Sequence, residues 1–144
     1  MNSNKYFIIT VLIFLFAITF SCKKYHVKDC ENYDYYDCNT VEPFEGILEI
    51  ELTINNLNPR VPLVVFNGNF EDHDTAFVDT ATTKFLEIHM PTNKYYSVLA
   101  KYKTSEKTIF AVDGDDITKK SENVCDSVCW IIENGKIDVK LKYD

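Results

Sequence analysis

The chain has 144 residues, of which 22 are acidic, 15 are basic and five are cysteines. This length is typical of one domain. A hydrophobic share of 46% and an aromatic share of 14% exclude a disordered or low-complexity chain. The net charge of −7 argues against nucleic-acid binding, because such an interface needs a basic surface that neutralises phosphates.

The N-terminal residues predict a signal peptide over 1–21. Lys5 precedes an apolar run over 6–20. As a helix, about 15 residues span only ~22 Å, which is less than the ~30 Å of a bilayer core. The run ends at Ser21-Cys22, and this junction resembles a bacterial lipoprotein signal, in which Cys22 receives the lipid and becomes the first mature residue. An uncleaved N-terminal anchor with a buried Cys22 is the alternative.

The lipoprotein resemblance implies a location and a partner. Because Lys23 follows Cys22 where Asp would favour inner-membrane retention, it implies a lipid anchor in the outer membrane of a Gram-negative cell, facing the periplasm or the cell surface. The membrane is then one partner, and an envelope protein or a glycan is expected as another. The predicted organisation is a signal peptide over 1–21, a tether and cysteine-containing lead-in over 22–43, and a folded domain over 44–144.

Four further cysteines, Cys30, Cys38, Cys125 and Cys129, predict two disulfide bonds, as is usual for an even number outside the cytoplasm. Local pairing of Cys30 with Cys38 and of Cys125 with Cys129 is slightly favoured, because the Tyr- and Asp-rich segment between the first two has little else to order it. Crossed pairing would close longer loops and stabilise the fold more. A four-thiolate zinc site is a further alternative, although the spacings do not match the usual two-residue spacing.

Short segments with strand character predict an all-β fold. Apolar and polar residues alternate over 48–54 and again over 137–143, as in strands with one buried face. Shorter runs with strand character lie at 61–66, 76–78, 85–90, 95–102, 109–112 and 128–132. No segment shows a convincing amphipathic helix longer than two turns. We therefore predict an antiparallel β-sandwich of seven or eight strands, transthyretin-like or Ig-like.

Turn residues predict how the strands connect. Pro91-Thr92-Asn93 predicts a hairpin between the strands at 85–90 and 95–102, and Asn134-Gly135 predicts another near the C-terminus. Asp113-Gly114-Asp115-Asp116 is expected to end the strand at 109–112, with a loop over 119–123.

The strands over 46–64 and 85–102, together with Met90-Pro91-Thr92-Asn93, resemble the transthyretin-like, carboxypeptidase-regulatory-like β-sandwiches. In that family a strand ending in a proline turn leads to an aromatic strand that closes the core, and the likeness covers about residues 46–143. Asn93 stands where that family commonly has glycine. The resemblance implies an accessory, adhesive or ligand-presenting module, and it supplies no catalytic residues.

Two acidic segments are candidate cation sites. Glu71, Asp72, His73 and Asp74 place three carboxylates and an imidazole in four residues, a donor set suited to Ca²⁺ or Zn²⁺; a solvated loop is the alternative. Residues 113–116 resemble part of a calcium loop, but they lack its ligand spacing and a distal Glu, and a tight turn is favoured instead.

No sequence motif indicates catalysis or a cofactor. No serine lies in a nucleophile elbow, and no phosphate loop, dinucleotide fingerprint or haem motif is present. Tyrosines are weighed separately, since exposed tyrosines stack on sugars or anchor protein partners. For those on strands, ordinary packing is favoured over such contacts, and for those at 33–36 partner contact and packing of the cysteine loop stay equally open. These tyrosines are Tyr33, Tyr35, Tyr36, Tyr95, Tyr96 and Tyr102.

Charge is unevenly distributed along the chain. Residues 29–59 contain eight acidic residues and no Lys or Arg, whereas residues 84–107 contain five Lys and two Glu. The two regions either meet between neighbouring molecules or lie on different faces of one molecule. We expect a non-enzymatic envelope lipoprotein that binds or scaffolds at the outer membrane. A divalent-cation, small-ligand or glycan-binding module is the alternative, and an envelope hydrolase is a third hypothesis.

Overall fold

The computed structural model describes Cys30 and residues 38–142. The chain divides into two compact units, residues 1–33 and 34–144, and the first contributes only Cys30 to the described residues. The predicted signal peptide, Cys22 and Tyr33–Tyr36 lie outside the described residues. The fold below is that of the second unit.

The described part of this unit forms eight strands, which confirms the predicted all-β sandwich. Its only helical element is a short 3₁₀ turn at Phe70–Asp72. The strands are β1 (Glu45–Glu51), β2 (Val61–Asn67), β3 (Thr75–Ala81), β4 (Phe85–Pro91), β5 (Lys94–Lys103), β6 (Thr108–Val124), β7 (Ser127–Glu133) and β8 (Gly135–Asp138). They build a three-stranded sheet in the order β4-β1-β8 and a five-stranded sheet in the order β3-β2-β5-β6-β7.

The three-stranded sheet is mixed. β1 pairs antiparallel with β4, with Leu48 opposite Ile88, and parallel with β8, with Ile50 opposite Ile137. Gly46 lets β1 pass close to the other sheet, because a Cβ atom at this position would lie 2.5 Å from the Ile117 side chain of β6. Any larger residue at 46 would therefore push the two sheets apart.

The core lies between the two sheets and is built from alternate residues. Tyr96, Val98, Ala100 and Tyr102 of β5 share one face and are each fully buried, as the sequence predicts. Fully burying an aliphatic core side chain contributes about 1.5–3 kcal/mol. Inward-facing residues of β1, β2 and β8 complete the cluster, namely Leu48, Ile50, Val61, Leu63, Val65 and Ile137.

Two buried tyrosine hydroxyls connect the core to the ends of strands. The Tyr102 hydroxyl donates to the Val139 carbonyl at 2.8 Å and accepts from the Thr53 N–H at 3.2 Å. The Tyr96 hydroxyl donates to the Pro91 carbonyl at 2.9 Å. Burial raises the pKa of both phenols, because it disfavours the phenolate.

The predicted hairpins at Pro91-Thr92-Asn93 and Asn134-Gly135 are wrong. Both turns occur, but each carries the chain from one sheet to the other. Asn93 adopts a left-handed conformation (φ 59°), which places β5 in the opposite sheet from β4. The side chain of Asn134 accepts a hydrogen bond from the Ile47 N–H at 3.0 Å and so directs the chain towards β1, where β8 pairs.

The predicted chain reversal at residues 113–116 is also wrong, as is the predicted loop at 119–123. β6 runs through both segments without interruption. Its first half pairs with β5, and its second half pairs with β7 through a turn at Cys125-Asp126. Polar residues are accommodated within the strand because their side chains find partners across the sandwich.

Candidate functional site

The acidic tetrapeptide Glu71–Asp74 lies in an exposed turn directly before β3. Its backbone is ordered by the Asp72 N–H, which donates to the Asn69 carbonyl, and by His73, which has a left-handed conformation (φ 56°). Across residues 38–142 and Cys30, no group of three or more His, Cys, Asp or Glu side chains is positioned to hold a metal ion. The four side chains are therefore not gathered around one point, and the structure offers no support for a cation site here.

The second acidic segment closes an edge of the sandwich. Asp115 of β6 accepts the N–H of Lys136, and Asp113 accepts the N–H of Asp138, each at 2.8 Å. These N–H groups belong to the side of β8 that faces away from β1. Carboxylates thus take the place of a neighbouring strand, and they block β8 from pairing with another chain.

Gly114 explains why residues 113–116 stay extended within β6. Gly114 lies beneath the ring of Tyr95, whose hydroxyl would overlap any Cβ atom at this position. Glycine therefore admits the aromatic ring onto the outer face of the sheet, and it does not mark a turn.

The cysteines pair over a long range. Cys38 is bonded to Cys129, 91 positions later in the sequence, and their Cα atoms lie 5.0 Å apart. Cys30 and Cys125 each also take part in a disulfide bond. The expectation of local pairing is wrong, because Cys38 lies beside β7 rather than folding back on its own segment. Oxidised sulfurs likewise exclude the four-thiolate zinc site.

Lys119 of β6 fastens the N-terminal lead-in to the sandwich. Its side chain is only 12% exposed, and its ammonium lies 2.7 Å from a Glu42 carboxylate oxygen and 3.1 Å from the Pro43 carbonyl. The rings of Phe44 and Trp130 lie 5.8 and 5.7 Å from the same nitrogen. Ion pairing and cation–π attraction act together at this partly buried position. The sequence gives no direct sign of this contact, since Lys119 lies in a segment that resembles a polar loop.

An apolar row crosses the outer face of the five-stranded sheet. Val78, Val64, Leu99 and Val112 are directly opposed on successive strands β3, β2, β5 and β6. Val78 is 65% exposed and Val112 is 41% exposed. Phe110 lies next to the row and is 57% exposed, with the Lys101 ammonium 5.9 Å from its ring. Since neighbouring strands are about 4.8 Å apart, the row spans about 14 Å.

The outer face of the three-stranded sheet is different in character. Glu49 of β1 lies directly between Glu87 of β4 and Lys136 of β8, and Glu51 follows it on the same face. The acidic stretch around β1 therefore faces outward from one sheet, whereas Lys101 and Lys103 face outward from the other. Within the described residues, this acidic pair and this pair of lysines therefore face outward from different sheets.

A groove of about 680 Å³ opens between the first half of β6 and the segment after β8. Ile109, Ala111 and Leu141 contribute apolar lining and are only partly buried against the core. Charged side chains also line it, among them Lys107 and Lys142. Apolar lining with a few charged groups is typical of a small-ligand pocket.

Among the described residues, Ser97, His73 and His89 lie on different elements of the fold. Ser97 is buried, and its hydroxyl donates to the Gly68 carbonyl at 2.8 Å, so it serves a loop. His73 lies in the exposed turn, and His89 faces outward from β4 beside Glu87. His26 lies outside the described residues.

Comparison with protein-family models, with curated proteins and with solved structures found no match to this chain. In the part of the chain that the structure describes, no helix has the length and apolar character needed to span a bilayer.

Proposed function

We propose that the chain is a non-enzymatic envelope lipoprotein that binds a protein partner through the outer face of its five-stranded sheet. The observation that carries the proposal is the row Val78-Val64-Leu99-Val112, an apolar line across four strands. Its two ends, Val78 and Val112, are exposed, and its two middle residues are half-buried. Contiguous exposed apolar surface is typical of protein interaction sites, because burying it against a partner is favourable.

The charges beside this row indicate the chemistry of the partner. Lys101 and Lys103 project from the same face of β5, and Lys101 lies next to Phe110. A complementary partner would present an apolar surface with acidic groups opposite these lysines. Such charges favour the correct orientation and speed of association more than they add affinity.

The anchor is proposed from the N-terminal sequence. Lipidation of Cys22 would hold the domain at the outer membrane, and the lead-in would connect the lipid to the sandwich. Fastening of Glu42 and Pro43 to Lys119 supports an attachment close to the folded body. Replacing Cys22 with Ala should move the protein from the membrane to the soluble fraction; retention in the membrane would contradict lipid anchoring.

Site-specific photo-crosslinking in intact membranes tests the binding face. A photoreactive residue at Val112 should give one dominant cross-linked product. The same probe at Glu87, on the outer face of the three-stranded sheet, should give little. Introducing Val112→Lys beside a probe at Phe110 should then abolish the product. Equal labelling from both faces would contradict a specific binding face.

Small-ligand binding is a second candidate function, supported by the groove rather than by Glu71–Asp74. Its partly exposed core residues Ile109, Ala111 and Leu141 suit an apolar or sugar-ring moiety, and Lys107 and Lys142 suit an anionic substituent. Ligand-induced NMR shifts confined to these residues would favour this function, and Ala111→Trp should remove them.

A further inference from the structure

The four strand edges of the two described sheets differ in how they are protected. The β7 edge is covered where the Trp130 N–H donates to the Asn39 carbonyl and where Cys129 is bonded to Cys38. The β8 edge is blocked by the carboxylates of Asp113 and Asp115. The β4 edge is covered at its two ends, where Pro91 lacks an N–H and the Thr83 hydroxyl donates to the Phe85 carbonyl. Between them the outward backbone groups belong to Glu87 and His89, whose polar side chains are exposed.

The β3 edge, by contrast, is open and has exposed apolar residues, Phe77 and Val78, at its centre. It carries the sequence TAFVDTA, with no Pro or Lys, and five of its seven residues are exposed. Among the described residues no strand pairs with its free side. Exposed apolar edges of this kind are templates for pairing with another chain.

The hydrogen-bond pattern identifies which groups of β3 are free. The Gly68 N–H donates to the Tyr95 carbonyl of β5. The backbone N–H and C=O groups of even-numbered β2 residues therefore point towards β5, and those of odd-numbered residues point towards β3. In the regular part of β3 the backbone of Phe77 and Asp79 therefore bonds to β2, and that of Val78 and Thr80 points outward. The Thr80 N–H is already taken by the Asp79 carboxylate at 2.6 Å. The open N–H and C=O groups of Val78 are thus at the centre of the free edge.

We propose that β3 pairs antiparallel with β3 of a second copy of this chain, with the two-fold axis at Val78. Each Val78 then exchanges both backbone hydrogen bonds with the other, and Phe77 lies opposite Asp79 of the second copy, so no like charges meet within the strand. A closed, self-complementary contact of this kind produces a dimer and not a filament. The five-stranded sheets join into one ten-stranded sheet.

Charges at the two ends of β3 favour this orientation. The acidic turn with Asp72 and Asp74 precedes the strand, and Lys84 follows it in the connection to β4. Antiparallel pairing brings the acidic end of one copy next to Lys84 of the other, at both ends of the contact. Parallel pairing would instead place acid against acid. The acidic tetrapeptide Glu71–Asp74, where the described residues form no metal cluster, would thus help to orient the two copies antiparallel.

Pairing of the two β3 strands would also make the apolar row continuous across the dimer. The apolar row of one copy, which ends at Val78, meets the row of the second copy at its own Val78. The inference goes beyond the proposed function, because it concerns the strand edge rather than the sheet face. A dimer can form whether or not a partner binds at Val112.

Cysteine cross-linking of the full chain in its membrane tests the pairing. Two residues directly opposed in a hydrogen-bonded antiparallel pair have Cα atoms about 5.5 Å apart, a distance that a disulfide can bridge. Val78→Cys should therefore give a cross-linked dimer under mild oxidation. Thr80→Cys is the matched control on the same edge. Its counterpart in the second copy lies about 13 Å along the strand, too far for a bond.

The expected result is at least a tenfold higher dimer yield from Val78→Cys than from Thr80→Cys. Equal yields from the two positions, or no dimer from either, would overturn the proposal. Light scattering on the detergent-solubilised wild type should show two chains per particle, and the Val78→Lys variant should show one. A wild type that is monomeric at all concentrations would also overturn the proposal. Photo-crosslinking at Val112 is read separately, so failure of the dimer and failure of the partner-binding face remain distinguishable.

Discussion

The edges at β8 and β3 show two opposite treatments of the same structural problem. Both strands end a sheet, and both expose alternate backbone groups. At β8, Asp113 and Asp115 reach across from the other sheet and accept the outward N–H groups. At β3, Asp79 reaches only its neighbour Thr80 and leaves Val78 uncovered. Because carboxylates block the β8 edge and leave Val78 at the β3 edge uncovered, the β3 edge is suited to association.

A disulfide bond between Cys38 and Cys129 protects the β7 edge covalently. Cys38–Cys129 closes a loop of about ninety residues and fastens the lead-in beside β7. Replacing both cysteines with Ala should lower the free energy of unfolding by about 3 kcal/mol. This is less than a lone bond across that loop would contribute, because Cys30 and Cys125 stay oxidised and still restrict the unfolded chain. Urea denaturation of both proteins measures the difference. A loss below about 1 kcal/mol would show that hydrogen bonding and the Lys119 contacts hold the segment without the bond.

Tyr102 holds the segment after β8 against β5 from inside the core. Tyr102→Phe leaves the Val139 carbonyl and the Thr53 N–H without this partner, and it should cost about 2–3 kcal/mol in unfolding free energy. Urea denaturation at neutral pH checks this value. Val139→Ala, which keeps the hydroxyl contacts but removes packing, serves as the comparison for a purely apolar loss.

The unfolding free energy of Tyr102→Phe should also depend on pH differently from that of the wild type. Burial raises the pKa of the Tyr102 phenol above its unfolded value of about 10, so its contribution to stability is complete below pH ~10 and is lost as pH rises through the raised pKa. The wild type should therefore lose stability more steeply above pH ~10 than Tyr102→Phe does. Parallel curves for the two proteins would contradict this assignment.

Opening the β8 edge should make it resemble the β3 edge. Asp113→Ala with Asp115→Ala removes two carboxylate acceptors from backbone N–H groups and should cost about 2 kcal/mol in unfolding free energy, since the sites are partly solvated. The double variant should also form assemblies larger than a dimer, visible by light scattering. Asp116→Ala is the control, because Asp116 lies in the same segment but faces outward. Unchanged stability in the double variant would contradict the blocking role.

Protecting the β3 edge should have the smallest effect on the single chain. Val78→Lys changes an exposed side chain and should alter the unfolding free energy, measured on monomer, by less than about 0.5 kcal/mol. The same change should convert dimer to monomer, because it places two positive charges together at the two-fold axis. A large loss of monomer stability would instead show that Val78 belongs to the fold.

The sequence predicts the fold class well where burial follows local alternation. The inward face of β5 is recognisable because Tyr96, Val98, Ala100 and Tyr102 repeat with a period of two. Strand partners are not predictable in this way, because β4 and β8 join β1 through contacts distant in sequence. The length of β6 also escapes prediction: the residue types at 113–116 favour a turn, and only the partners of Asp113 and Asp115 in β8 make an extended segment favourable.

The candidate binding surfaces were only partly accessible to sequence reasoning. Glu71–Asp74 stands out by composition, yet composition does not show whether side chains converge. The apolar row requires the register of four strands, and its last member, Val112, lies at the point where the predicted strand ends too early. Even so, the alternation of exposed Phe110 and Val112 with partly buried Ile109 and Ala111 was a usable signal.

Residue-resolved amide hydrogen exchange of the full chain, recorded at several protein concentrations, tests the central claim most directly. If two β3 strands pair at Val78, the Val78 amide should become more protected as concentration rises, whereas the Lys136 amide, already bonded to Asp115, should keep the same protection throughout. Rapid exchange at Val78 at every concentration would contradict the account, because it would show that the open edge stays open.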